Sequence, residues 1–234
     1  MFSRQGNEGV AVAPQRLGVE DLGGCARRIC FGDQPGAELA DRAGLLWWDE
    51  EPLIAVDEIR LRGLHNRRNA AAAAAVTLAR GIDPQVVRAA LRTFAGVPHR
   101  LEEVARHDGV LFVNDSKATN VDAAVTGLRS FDGGVHAILG GRGKGQDFAP
   151  LAAAVGERCS AVYLVGEDAP AIARALEDSG VPLRECGDLE RAVAAARAAA
   201  RAGEVVLLSP ACASFDQYRD FEERGDHFRA LARG

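Results

Sequence analysis

The chain has 234 residues, 47% hydrophobic and 26% charged, enough for one large globular core or two modest ones. A formal net charge of −5 argues against a nucleic-acid partner, and no apolar run reaches the length needed for membrane insertion or a signal sequence. The five cysteines, Cys25, Cys30, Cys159, Cys186 and Cys212, are scattered without metal or disulfide spacing and read as reduced packing residues of a cytoplasmic protein.

Residues 10–13 and 28–31 are short strand candidates bounded by glycine or proline. Residues 45–48 and 53–56 flank Asp49-Glu-Glu-Pro52 and predict a β-hairpin, in which Trp47 and Trp48 are packing residues. The first 62 residues hold few helical signals and are not expected to close a core alone. His65-Asn66 is expected to cap a helix through the alanine tract to Arg80, ended by Gly81. Asp83-Pro84 then supplies an N-cap and a first-position proline, with Val87, Ala90, Leu91 and Phe94 as the buried stripe. Gly96-Val-Pro98 breaks that pattern, so residues 1–96 and 97–234 are read as separate domains.

Beyond the break, strand and helix alternate. Strands at 101–105 and 110–113 are joined by the turn His107-Asp-Gly109. Helix 121–129, strand 135–139, helix 148–155, strand 161–165, helix 169–178, a weak strand at 183–186, helix 189–202 and strand 205–208 follow. The expected fold class is α/β: a Rossmann-like, mostly parallel, doubly wound sheet with right-handed crossovers. Residues 214–231 have helical composition, weakened in the middle by Gly225.

Three strand ends carry the candidate chemistry. After residues 110–113 come Asp115, Ser116, Lys117, Thr119 and Asn120, a polar burst facing the start of a helix. After 135–139 comes Gly140-Gly-Arg-Gly-Lys-Gly145, whose glycines would let backbone approach an anion beside Lys144; a plain glycine turn is the other reading. Its spacing fits neither a Walker A loop nor a dinucleotide fingerprint. After 205–208 comes Ser209-Pro-Ala-Cys-Ala-Ser214, rich in hydroxyls and small residues; Cys212 lacks an obvious base and is read as packing, and Ser214 as an anion ligand or an N-cap. Of 28 basic residues only Lys117 and Lys144 are lysines, and both fall in these loops. A compact ammonium suits point contact with phosphate or carboxylate. Arg100, in Pro98-His-Arg100, is a surface arginine or a phosphate contact. Asn66 and Asn69, three apart on one helical face, either start a helix or read an adenine edge.

Together, Gly63-Leu-His-Asn-Arg-Arg-Asn69, Pro98-His-Arg100, Asn114-Asp-Ser-Lys-Ala-Thr-Asn120, Leu139-Gly-Gly-Arg-Gly-Lys144, Leu208-Ser-Pro-Ala-Cys-Ala-Ser-Phe-Asp-Gln-Tyr218 and Phe221-Glu-Glu-Arg-Gly225 resemble the Mur ligase family, and within it the branch that adds D-glutamate. The resemblance covers nearly everything from about residue 62 onward and, more loosely, what precedes it. It implies an ATP- and Mg2+-dependent, amide-forming ligase of peptidoglycan synthesis, monomeric at full length. D-glutamate would join UDP-N-acetylmuramoyl-L-alanine through an acyl phosphate and a tetrahedral intermediate. It also implies roles: Asn66 and Asn69 at the adenine, Arg100, Asp115 and Lys117 at ribose and phosphates, with Arg100 and Lys117 the catalytic candidates. Thr119, Lys144, Ser214 and the backbone around Phe215 and Phe221 would form the D-glutamate pocket.

The family's central domain carries a Gly-x-x-Gly-Lys-Ser/Thr loop, a magnesium-binding Glu and His, and a carbamylated lysine. With lysine only at 117 and 144, none of these lies in the 234 residues. Residues 1–96 therefore read as the end of that central domain, with magnesium ligands expected elsewhere and the isolated chain expected to be inactive. The competing readings are a non-enzymatic nucleotide or amino-acid binding module and a folylpolyglutamate synthase relative.

Overall fold

The computed structural model describes residues 6, 8–17 and 27–234, so Cys25 lies outside the described residues. The chain divides into two compact units, residues 1–95 and 96–234.

In the first unit, β1 (Val10–Pro14), β2 (Arg27–Gly32), β3 (Leu39–Arg42), β4 (Leu45–Trp48) and β5 (Glu51–Ala55) form one sheet in sequence order. The first three strands run parallel and the last two pairings are antiparallel. The expected hairpin is β4–β5, and Pro52 is accommodated because β5 is an edge strand. Strand β3 carried no clear signal: it has four residues, two of them charged, and its ladder to β2 spans only two pairs. The second layer of this core comes from α1 (Leu64–Ala79), whose Ala70, Ala71, Ala74, Ala75 and Leu78 pack against Ile29, Leu39, Leu46, Leu53 and Ile54. Methyl-sized side chains let this helix lie close to the sheet.

The start of α1 and the burial of α2 differ from the pattern expected from sequence. The N-cap of α1 is Gly63, at φ 90°, so His65 and Asn66 lie inside the first turn; the Asn66 amide donates back to the Arg62 carbonyl at 2.8 Å. Helix α2 (Pro84–Thr93) starts as expected, with the Asp83 carboxylate accepting from Gln85 N at 2.7 Å. Its stripe is not buried throughout. Val87 is buried and Leu91 packs partly, but Ala90 is exposed and Phe94 is 50% exposed. These side chains form one wall of an apolar groove facing Ala70, Ala73 and Thr77 of α1.

The second unit has a six-stranded sheet in the order β10-β9-β8-β11-β7-β6. Its strands are β6 (Glu102–His107), β7 (Val110–Asn114), β8 (Val135–Gly140), β9 (Cys159–Val165), β10 (Leu183–Gly187) and β11 (Val205–Ala211). All pair parallel except β6, which returns on β7 through a turn with Asp108 and Gly109 both at positive φ. Helices α3 (Val121–Leu128), α4 (Leu151–Arg158) and α5 (Ala169–Ala175) cover one face; α6 (Leu189–Ala199) and α7 (Phe221–Arg233) cover the other. Along β11 the side chains of Val205 and Leu207 enter one core and those of Val206 and Leu208 enter the other, the two-residue period of a strand buried on both faces. This is the doubly wound arrangement expected from the alternation.

Helix α4 starts later than expected because Asp147 first forms a turn, accepting from Ala149 N at 2.9 Å. Residues 214–220 are turns rather than helix. Ser214 O accepts from Gln217 N and Tyr218 N, and α7 begins only after Asp220, whose carboxylate caps Glu223 N at 2.8 Å. The expected helix over 214–231 is thus shortened at its start by a better cap seven residues in.

Candidate functional site

The loops after β7, β8 and β11 leave the carboxyl ends of three adjacent parallel strands. Helices α3 and α4, which follow β7 and β8, turn to one face, while α7, which follows β11, turns to the other. The chain therefore parts on each side of β11, the position where open α/β sheets leave a crevice for ligands.

Backbone and side-chain hydrogen bonds tie the three loops together. Arg142 and Ala213 exchange both backbone hydrogen bonds, at 2.9 and 3.0 Å, and the Gln146 amide donates to Ala211 O at 2.7 Å. Lys144 and Ser214 are thus carried on loops stitched to each other. Arg224 reaches from α7 to join the third loop: it donates to Ser116 Oγ at 2.9 Å, Ser116 O at 2.8 Å and Cys212 O at 3.1 Å. Ser116 Oγ in turn donates to Phe221 O at 2.8 Å.

Lys117 and Lys144 are exposed, and among the described residues neither pairs with a carboxylate. Lys117 Nζ lies 4.6 Å from the centroid of the Phe221 ring, so those two sequence candidates meet directly. Thr119 is half-buried, Phe215 is 62% exposed, and Ser214 is buried with no partner for its hydroxyl. Asn120 caps α3 by accepting from Ala123 N at 2.9 Å. Arg100 is exposed on the turn that precedes β6.

Asp115 faces inward instead of joining the polar rim. Its carboxylate accepts from Leu101 N at 3.2 Å and from Ser209 Oγ at 2.8 Å, and 7% of the residue is exposed. Burial pushes its pKa up to about 6, against the opposing pull of those two hydrogen bonds and the Arg100 charge. Cys212 is fully buried and its thiol is pushed to about 12 by that burial, which suits packing and not nucleophilic attack.

Gly140 and Gly141 have φ near 128°, and a Cβ on either would sit 1.9 Å from Val165 O or 2.3 Å from Ala213 O. Their job in the structure is close passage of neighbouring backbone; Gly145 alone has open space around it. Gly143 N donates to Asp168, which anchors the loop next to Lys144. In the first unit, Asn66 is half-buried and Asn69 is exposed along the wall of the apolar groove. Among the described residues, no three His, Cys, Asp or Glu side chains converge in a way that could hold a metal ion.

Residues 99–212 match the family model described as Mur ligase, glutamate ligase domain. The UDP-N-acetylmuramoylalanine–D-glutamate ligase of Dechloromonas aromatica is 46% identical over 210 residues, which is 88% of this chain and 47% of that relative. The Burkholderia mallei ligase of the same name is 51% identical over 178 residues, 76% of this chain and 35% of that relative. The second unit is a Mur ligase C-terminal domain. The chain spans about half the length, or less, of these curated relatives.

Solved Mur ligases share the fold. The UDP-N-acetylmuramate-alanine ligase of Thermotoga maritima superposes with a TM-score of 0.68 at 17% identity, covering 96% of this chain and 51% of that one. Folylpolyglutamate synthase of Mycobacterium tuberculosis, complexed with ADP, gives 0.62 at 20% identity over 89% of this chain and 50% of that one. In this Mur ligase domain, the segment Phe221-Glu-Glu-Arg-Gly225 holds two functional residues, Arg224 and Gly225, that its sequence pattern does not single out. The signal available was an arginine one position before a mid-helix glycine, a pairing that fits a helix pressed against its neighbours.

Proposed function

We propose that this chain is the nucleotide- and D-glutamate-handling portion of a ligase that joins D-glutamate to UDP-N-acetylmuramoyl-L-alanine in the cytoplasm. The observation that carries the reading is the convergence of the Lys117, Lys144 and Ser214 loops on one strand-end rim, with both ammonium groups uncommitted to any carboxylate. Relatives at 46–51% identity bear the name of that ligase. Exposed cations on a braced rim fit the donor set that phosphates and a dicarboxylic amino acid require.

ATP, with Mg2+, would supply the phosphoryl group that activates the acceptor carboxylate. Arg100 and Lys117 would neutralise phosphate oxygens, Asp115 would fix the turn beside the ribose, and Asn66 and Asn69 would face the adenine. Lys144, Thr119, Ser214 and the backbone of Phe215 and Phe221 would hold the two D-glutamate carboxylates and leave its amine free. A neutral or cationic side chain in place of the γ-carboxylate would leave those donors unpaired, which is the basis of selectivity. Magnesium finds no ready-made ligand set among the described residues.

The 234 residues contain no Gly-x-x-Gly-Lys-Ser/Thr loop, so they bind but do not ligate by themselves. Calorimetric titration should show ADP and D-glutamate binding, no L-glutamate binding, and loss of D-glutamate affinity in Lys144→Ala. Phosphate release at an enzyme-like rate from ATP, D-glutamate and the UDP-linked acceptor would overturn the claim of inactivity. Equal affinity of Lys144→Ala and the parent chain would overturn the pocket.

A further inference from the structure

Arg100 sits between two residues in the left-handed region, His99 at φ 63° and Leu101 at φ 44°. Histidine, like asparagine and aspartate, is found there more often than most side chains, but leucine is not, and the strain at Leu101 persists only where the surroundings over-determine it. The surroundings here do so through two carboxylates. Glu102 Oε2 accepts from His99 N at 3.0 Å, and Asp115 Oδ1 accepts from Leu101 N at 3.2 Å. Lys117 N donates to His99 O at 3.1 Å, which fastens the turn to the loop after β7.

Glu102 is held from behind. Arg229 of α7 forks onto it, with Nε and Nη2 donating to Oε1 at 3.2 and 3.0 Å and Nη2 also donating to Oε2 at 2.9 Å. Burial pushes the Glu102 carboxyl up, but the hydrogen bonds from Arg229 and the His99 backbone outweigh it and hold the pKa below the usual value, so the group is charged at neutral pH. The Asn114 amide lies within reach of Glu102 Oε2, Gly225 O and His99 Nδ1, at 3.3, 3.1 and 3.1 Å. Gly225 makes room: a Cβ there would lie 2.1 Å from His99 Nδ1.

We propose that Glu102, braced by Arg229 and Asn114, is a positioning residue that aims Arg100. The brace contributes no atom to the ligand and acts by fixing the backbone on the N-terminal side of the arginine. The inference rests on the reading of Arg100 as a phosphate contact, and it adds residues to which that reading gives no part.

The test uses the 234-residue chain, with ADP as probe and two readouts. Glu102→Ala should weaken ADP binding about tenfold, as should Arg100→Ala, the change expected for one lost charge-assisted hydrogen bond. The double variant should bind no more weakly than either single one, because the glutamate acts through the arginine. Glu102→Gln keeps an acceptor for His99 N and should retain most of the affinity. In the ligand-free chain, hydrogen exchange at the His99 amide should speed up at least tenfold in Glu102→Ala while the amides of β8 keep their protection. Additive losses in the double variant, or unchanged His99 exchange, would overturn the positioning role. Failure of the parent chain to bind ADP would instead sink the nucleotide reading, and the exchange measurement would still decide the brace.

Discussion

The two units bury their strands differently. In the second unit every residue of β7, β8 and β11 is buried, because α3, α4 and α5 cover one face and α6 and α7 the other. In the first, β1 alternates between buried and half-buried, β4 buries one residue in four, and the single core is closed by α1 with a minor contribution from α2. A sheet packed on both faces gives its strand-end loops a fixed base, which lets exposed cations such as Lys117 and Lys144 sit on the rim without a carboxylate partner. A sheet covered on one face has no such margin.

The contrast is broken most directly at Phe228, which is fully buried in the core under α6 and α7. Phe228→Ala should cost about 3–5 kcal/mol, through lost burial and the cavity left behind. Urea unfolding followed by both near-UV and far-UV circular dichroism should show two transitions. The first unit should melt first, and only the later transition should move in the variant. One merged transition that shifts as a whole would mean the units do not unfold independently.

A smaller effect separates the units by pH. Asp115 titrates at about 6 in the folded chain, above its ordinary 3.8, so the folded state holds the extra proton between those values. Stability from this group is therefore full below about pH 4 and falls as the pH rises through 6, by at most about 2–3 kcal/mol. Asp115→Asn should remove that decline from the second unit's transition and leave the first unit's pH profile unchanged. A stability difference between Asp115→Asn and wild type that does not change with pH over this range would contradict the buried, protonatable carboxyl.

The second unit was the more legible in sequence for the same physical reason. Buried strands read as unbroken apolar runs and their ends as abrupt polar bursts, so the sheet and the three rim loops could be found from local pattern. The turning-in of Asp115 could not, because a carboxylate after a strand looks the same whether it faces solvent or the Leu101 amide and Ser209. Neither could the partnership of Glu102 with Arg229, which joins residues 127 positions apart. In the first unit, β3 is too short and too charged to show a period, and the stripe on α2 shares one helical face but, among the described residues, is fully buried only at Val87. Spacing shows which residues share a helical face; burial also requires something opposite.

Helix packing against the two sheets gives the most delicate comparison. Alanine is small enough for α1 to lie on the first sheet, with Ala74 and Ala75 almost wholly buried. In α7 even alanine is too large, since a methyl at Gly225 would fall 2.1 Å from His99 Nδ1 and 3.1 Å from Asn114 Nδ2. Helix propensity alone favours Gly225→Ala by about 1 kcal/mol, whereas overpacking costs about 1–3 kcal/mol. The His99 ring cannot swing away cheaply, because Asn114 holds it and the Phe221 ring stands edge-on to it at 5.9 Å between centroids. Steric cost should win, leaving a net destabilisation of about 1 kcal/mol in the later transition and faster exchange at the His99 amide. If Gly225→Ala instead stabilised the domain, His99 would have to be free to move, and the left-handed turn that carries Arg100 would not be held from this side.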